Sequence, residues 1–395
     1  MGKYIKQFET HSAYNTYITG QDKVLPNVSY CEDNNEVHYN IWYDPEKFVA
    51  KFNVTDTTTA TSLFNNPTLL KKLEIDGVVQ PNVVTSYTFS TTGIHTVKYT
   101  LNDNVTSIDG ASFNGKSNMI SITIPNTITI IGDSAFAGCT SLTSVSIPNG
   151  ITSIGNGAFS GCRSLKTITI PNSVTSIGAA AFGGCRSLKT ITIPSSVTTI
   201  NGSLGDFDFE DVIFESINPN ATFVRDATNK VLTNIAGDTL ICGFDNTNTI
   251  APNTITSIGG AAFNGCTSLT SVSIPNGITS IGNGAFAGCT SLTSITIPNS
   301  VTTIGYNAFS TCTSLTSVTI GNSVTSIANV AFGFCSALTS VTVQATTPPA
   351  LSSSSSAFVN TNNCPIYVPS TSVETYKAAS GWSDYASRIQ AIPSV

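Results

Sequence analysis

Charge is what this chain most conspicuously lacks. Asp, Glu, Lys and Arg make up 10% of its 395 residues and leave a formal net charge of −6. Between residues 246 and 373 there is no Asp, Glu, Lys, Arg or His, so solubility there rests on Ser, Thr, Asn and Gly. A chain so poor in cations offers little to nucleic acid or to an acidic membrane surface. Histidine is scarce too, and His11, His38 and His95 all lie near the N-terminus. None adjoins a nucleophile motif, and neither G-x-S-x-G nor H-E-x-x-H occurs. Acid–base chemistry has few side chains to draw on, so we expect a protein that is not an enzyme and uses no cofactor. No apolar run approaches the ~18 residues of a membrane span, and the first residues contain no leader-like apolar core. Gly2 lacks the Ser or Thr that a myristoylation motif requires. The expectation is no signal peptide, no anchor and no direct membrane insertion. Either a leader has been removed or the protein leaves its cell without one.

Repetition is what the chain has instead. Phenylalanine recurs every 23 residues at Phe113, Phe136, Phe159 and Phe182, and again at Phe263, Phe286, Phe309 and Phe332. Cysteine follows most of them at Cys139, Cys162, Cys185, Cys266, Cys289, Cys312 and Cys335. One unit reads Leu142-x-x-Val145-x-Ile147-Pro148-x-x-Ile151-x-x-Ile154-Gly155-x-x-Ala158-Phe159-x-x-Cys162. A fixed period in this range, with L-x-x-L-x-L at its heart, is a leucine-rich-repeat signature. So small a unit cannot bury its own apolar face and must stack on its neighbours. The fold class expected is mainly β, a leucine-rich-repeat solenoid.

Within the unit, Val145-Ser146-Ile147 alternates like a half-buried strand. Stacked turns would align such strands about 4.8 Å apart, and roughly ten turns would make a coil about 50 Å long. Pro148, with no N–H, ends the strand, and Asn149-Gly150 supplies turn chemistry. Ile151 to Ile154 reads as a second extended run, and Ala158 to Cys162 as one helical or 3₁₀ turn that buries Phe and Cys.

The chain divides into an attachment module (1–47), a small immunoglobulin-like β domain (48–103), the repeats (104–344) and a C-terminal cap (345–395). In the first, 9–18 reads as a short helix, with strands at 28–31 and 37–39. The β domain has candidate strands at 48–54, 72–75, 86–90 and 94–101, turns at Asp76-Gly77 and Thr92-Gly93, and a position suited to capping the coil. The repeats break once, over about 215–249, where 230–235 and 239–243 flank Ala236-Gly237-Asp238 as a β-hairpin. A closing strand and helix are expected in 364–391.

The seven laddered cysteines have no zinc spacing and read as buried, small apolar side chains. Cys31, Cys242 and Cys364 stand outside the ladder, and whether they pair is open. Asp206-Phe207-Asp208-Phe209-Glu210-Asp211 lacks the EF-hand spacing and glycine, so it reads as a solvated acidic rim and no metal is expected.

The pattern I-P-N-x-[VI]-T-S-I-G-x-x-A-F-x-x-C-x-S-L closely resembles the BspA-like leucine-rich repeats of bacterial and protist surface proteins. Thr347-Pro348-Pro349, Cys364-Pro365-Ile366-Tyr367-Val368-Pro369 and Tyr376 resemble that family's C-terminal end. The resemblance implies adhesion and recognition rather than catalysis. Separately, Lys3 to Phe8, Val24 to Val28 and Ser29 to His38 resemble a leading module of structural proteins from phages of gut bacteria. Two settings therefore stay open, a bacterial cell-surface adhesin and a virion appendage (head or tail fibre) docked to a larger assembly through 1–47. Both lie outside the cell, and the partner expected in either is a protein or glycan on a cell surface.

The outward positions of the strand form the candidate binding face: Thr143, Ser144 and Ser146; Lys166, Thr167 and Thr169; Lys189, Thr190 and Thr192; Thr270, Ser271 and Ser273; Thr293, Ser294 and Thr296; Thr316, Ser317 and Thr319. This carpet of hydroxyls has no Trp, Tyr or Arg anchor, so each copy would bind weakly and many would act together. Arg163 with Arg186, and Lys166 with Lys189, lie one period apart and should form a basic ridge suited to sulfate, phosphate or carboxylate.

Overall fold

The computed structural model describes residues 28–30, 37–39, 47–205, 207, 211–215, 217–227, 231–244, 254–351 and 357–393. The helix expected over 9–18, Cys31, all of the acidic run except Phe207 and Asp211, and the serine stretch 352–356 lie outside them. Near the N-terminus, Val28–Tyr30 and Val37–Tyr39 pair antiparallel.

Period-two alternation builds the first large sheet. In Lys47–Val54 the side chains of Phe48, Ala50, Phe52 and Val54 are buried and those between are more open. This strand pairs antiparallel along its length with Gly93–Leu101, which in turn pairs with Leu70–Ile75, and Val78–Val79 forms the edge. Asp76 and Gly77 make the hairpin turn with φ of 48° and 84°, a geometry that Asp-Gly favours. The strand expected over 86–90 shortens to Ser86–Tyr87. On its other edge Lys47–Val54 pairs antiparallel with Met119–Thr123, which pairs parallel with Ser144–Ser146. The repeat array grows directly out of this sheet.

Each turn of the array contributes two extended pieces and a corner. The Leu-x-x-Val-x-Ile pieces pair parallel and in register, best in Ser294–Ile297, Ser317–Ile320 and Ser340–Val343. An even sheet was expected here, but no strand forms over 165–170, and Ser273 is a lone bridge residue. The second pieces are two residues long. Ser107–Ile108, Ile130–Ile131, Ser153–Ile154, Ser176–Ile177 and Thr199–Ile200 stack in one parallel sheet. A later sheet carries Ser257–Ile258, Ser280–Ile281, Thr303–Ile304 and Ser326–Ile327.

The corner corrects another expectation, because Ala158 to Cys162 is not helical. Gly157 and Gly161 stand at φ 57° and 74°, and two left-handed residues per corner break any helix. Tight turns result instead, closed by bonds such as Cys162 N–H to the Phe159 carbonyl at 3.1 Å.

These corners carry the core. Phe113, Phe136, Phe159 and Phe182 stack with ring centroids 5.2–5.7 Å apart and planes within 10°. Phe263, Phe286, Phe309, Phe332 and Phe358 stack likewise at 4.8–5.5 Å. The spacing follows the strand repeat and suits offset aromatic stacking. Each laddered thiol points inward, and Cys139, Cys162 and Cys185 donate to the carbonyls of Phe113, Phe136 and Phe159 on the preceding turn. Cys242 and Cys364 are also free, buried thiols.

Both ends of the stack are covered. Phe48, Phe64 and Tyr99 close on Phe113 at 4.7–5.6 Å. Trp382 and Tyr385 close on Phe358 at 5.9 and 5.6 Å. The closing segment comprises Ile366–Val368, the helix Val373–Ala378, a 3₁₀ turn at Ser383–Arg388 and Ile389–Ala391.

The insertion enters the second sheet. Val231–Asn234 and Thr239–Cys242 pair antiparallel, and the latter pairs parallel with Ser257–Ile258. On the corner side the array scarcely widens. Ala180 N–H bonds the Ser203 carbonyl at 2.6 Å, and Ser203 N–H bonds that of Ala261 at 2.9 Å. Corners far apart in sequence are thus separated by a single turn.

Candidate functional site

Repetition makes the outer surface of the coil, and its hydroxyls divide into two populations. On the strand side Thr143, Thr293 and Thr316 donate to the carbonyls of Ile120, Thr270 and Thr293, each on the preceding turn, at 2.9, 3.4 and 3.0 Å. On the second sheet Thr129, Thr152, Thr175 and Thr198 form the same ladder at 3.1–3.2 Å. All of these hydroxyls hold turn to turn, and among them Thr143, Thr293 and Thr316 are positions the sequence analysis counted as outward-facing. An in-register coil leaves one carbonyl beside each threonine, and the short side chain reaches it.

The remaining positions face solvent. Lys166, Thr167, Thr169, Lys189, Thr190, Thr192, Ser271, Ser273, Ser294 and Thr296 are exposed, and Ser317 and Thr319 are half-buried. Ser294 lies opposite Ser317, and Thr296 opposite Thr319. Lys166, Thr167 and Thr169 stand on the stretch that forms no strand, as do Ser271 and, apart from its lone bridge, Ser273. The hydroxyl face is therefore most regular between residues 294 and 343.

Arg163 and Arg186 sit elsewhere, on the turn just after the corner cysteine, and both are exposed. They line one open cleft of about 270 Å³ together with Ser160, Gly183, Asn264 and Thr290. The Lys189 ammonium donates to the Arg186 carbonyl at 3.3 Å, which ties it to this corner. Asn264 and Thr290 escaped the sequence reading because the interrupted period hides which corner follows Cys185. A signal was available, since both occupy corner positions of their own repeats, beside Phe263 and Cys289.

Lys116 was also missed. It takes the place of the first laddered cysteine, three residues after Phe113, and is 3% exposed. Its ammonium donates to Ser62 Oγ at 2.6 Å and to Asn65 Oδ1, joining the first corner to the β domain. Burial lowers its pKa below the ordinary 10.5.

The polar contacts of His95 hold a turn. Its Nδ1 meets Asp76 Oδ2 at 2.6 Å and its Nε2 meets the Thr91 carbonyl at 2.9 Å, while the ring packs on Phe89. Both ring nitrogens are therefore taken up by contacts within the β domain. Among the described residues no group of three His, Cys, Asp or Glu is placed to hold a metal ion. No described helix is long and apolar enough to cross a membrane.

Solved structures similar to this chain include a leucine rich cell surface protein from Faecalibacterium prausnitzii. That likeness has 28% identity and a TM-score of 0.45, over 72% of this chain and 87% of that one. A leucine-rich repeat protein from Eubacterium ventriosum shows 27% identity and a TM-score of 0.42, over 62% and 73% of the two chains. The pneumococcal vaccine antigen PcpA shows 21% identity and a TM-score of 0.43, over 73% and 83%. No curated protein matches the sequence significantly. A family model for the BspA type leucine rich repeat region matches in six copies over residues 25–118, 82–207 and 238–377, and the chain belongs to that family.

Proposed function

We propose that this is a non-enzymatic recognition and adhesion protein that presents its solenoid outside the cell to a protein or glycan on a cell surface. One observation carries the reading: the strand face offers identical hydroxyls one turn apart, with Ser294 over Ser317 over Ser340 and Thr296 over Thr319 over Thr342. Each hydroxyl is a weak contact, and a repetitive ligand would engage several at once. Purified protein should bind target cells saturably. Replacing Ser294, Thr296, Ser317 and Thr319 by glutamate should remove most of that binding. Unchanged binding would move the site off this face, and no saturable binding to any cell surface would overturn the adhesive role.

The second setting is a virion appendage, in which 1–47 docks to the particle and the solenoid contacts the host. It is favoured by the resemblance of residues 3–8 and 24–38 to leading modules of phage structural proteins. Mass spectrometry of purified particles, envelope and cytosol from a producing culture separates the two. Enrichment in particles supports the appendage, enrichment in the envelope supports the cellular adhesin, and confinement to the cytosol counts against both.

A further inference from the structure

We propose that the corner cleft where the two halves of the coil meet binds a sulfate or phosphate ester carried on a glycan, with Arg163 and Arg186 as its anion-binding residues. This rests on the reading of the chain as a binding protein and names one ligand group for it.

Four observations converge on the cleft. The first is charge isolation. Between residues 134 and 205 the only charged side chains are Arg163, Lys166, Arg186 and Lys189. Among the described residues none of the four makes an ion pair. The facing wall comes from the segment 246–373, which has no carboxylate to compete. In chain order the nearest carboxylates are Asp133 on the turn before, which accepts from Asn156 N–H at 2.7 Å, and the acidic run beginning at Asp206. The described member of that run, Asp211, lies with Glu215 at the strand side of the next turn. There Val212 pairs with Ile191, which sets Asp211 near Thr190, and Glu215 accepts from Ser195 N–H at 3.4 Å.

The second is spacing. Arg163 and Arg186 occupy the same place on successive turns, where the Phe159 and Phe182 rings are 5.7 Å apart. Two planar guanidinium forks carried on adjacent turns can each take an edge of one tetrahedral oxyanion. A planar carboxylate has only one such edge. The third is the opposite wall, where Asn264 and Thr290 bring an amide and a hydroxyl suited to sugar hydroxyls. The fourth is size. At about 270 Å³ and open to solvent, the cleft holds about one substituted sugar and lets a chain pass through. Net charge does not draw polyanions to a molecule at −6, so binding depends on this local concentration of cations.

The test uses the intact chain and three polymers, a heparin-type sulfated oligosaccharide, a poly(glycerol phosphate) and uncharged dextran, by calorimetry at low salt. The wild type should bind one or both anionic polymers and not dextran, and a preference between them identifies the source of the ester. Arg163→Ala with Arg186→Ala should weaken binding about tenfold or more. Arg163→Lys with Arg186→Lys should restore only part, because an ammonium lacks the fork. Lys51→Ala with Lys72→Ala removes the same charge from exposed positions on the N-terminal sheet and should change nothing. Equal weakening by that control would replace the cleft with diffuse electrostatics, and failure to prefer anionic polymers over dextran would overturn the proposal. Saturable cell binding measured on the same wild-type preparation separates the outcomes. If it persists without anionic-polymer binding, only the cleft fails and the adhesive reading stands.

Discussion

Val330 occupies a left-handed position, φ 56°, immediately before Ala331 and Phe332, where other turns place Gly157, Gly284 or Asn307. A β-branched residue there costs roughly 1–2 kcal/mol of backbone strain. Val330→Asn should therefore stabilise the protein by about 1 kcal/mol, read as a higher denaturant midpoint with unchanged slope. Another glycine is needed for room rather than for its φ. A Cβ on Gly178 would lie 2.4 Å from the Asn156 backbone nitrogen, and one on Gly305 would lie 2.6 Å from the Gly282 carbonyl carbon. Ala328 holds the same repeat position and its N–H still meets the Ile304 carbonyl at 2.9 Å, so one methyl is accommodated there. Gly178→Val should exceed that tolerance and cost roughly 2 kcal/mol or more. An unaltered melting curve would show that the turns separate freely at this point.

At the scale of the element, the thiol column makes stability depend on alkaline pH. Beside the column, burial pushes the Cys242 thiol of the insertion hairpin from its ordinary 9.0 up to about 12. Contacts with Cys139 and Cys185, then burial, raise Cys162, and the contact with Cys335, then burial, raises Cys312. Above pH 9.0 an unfolded chain loses thiol protons that the native one keeps. The unfolded state then binds fewer protons, so stability falls as pH rises. The contribution of Cys242 is complete below 9.0 and is lost as pH climbs towards about 12, at roughly 1.4 kcal/mol per pH unit. Denaturant midpoints should be level below pH 9 and drop steeply above it, and a flat profile to pH 11 would mean that the thiols are not held in the core. The column and the phenylalanine stack were legible in the sequence, because both are direct consequences of period. The non-helical corner was not, since Ala158-Phe159-Ser160-Gly161-Cys162 has helix-compatible apolar spacing and its left-handed residues are chosen by the stacking of neighbouring backbones.

For the whole molecule, the buried residues form two clusters, one reaching from Phe48 to Phe244 and the other from Val231 to Ile389, which interleave only within the insertion hairpin. In a coil whose turns touch only their neighbours, stability is additive along the axis. Trp382 is fully buried against Phe358 and Tyr376 and donates to the Pro349 carbonyl at 2.7 Å. Trp382→Ala should cost about 3–5 kcal/mol, and that loss should be concentrated in the second cluster. Hydrogen exchange would then accelerate across 254–393 while amides around Ile154 and Ile177 stay protected. Uniform acceleration would show a single cooperative unit instead.

By itself the sequence determined the repeat, its two extended pieces, the inward Phe and Cys columns and the charge-free half. Each is a local pattern that recurs, and a recurring apolar period has only one way to be buried. Tertiary structure alone decided three things. It set which threonine hydroxyls are taken up by the preceding turn, because a carbonyl becomes available only once turns stack. It gave Lys116, which the repeat sets in the first cysteine position, its partners 51 and 54 residues earlier in the chain. And it brought the corners of Arg186 and Asn264 to one cleft, because the insertion enters the second sheet while the corner side advances by a single turn, a geometry that no period in the sequence records.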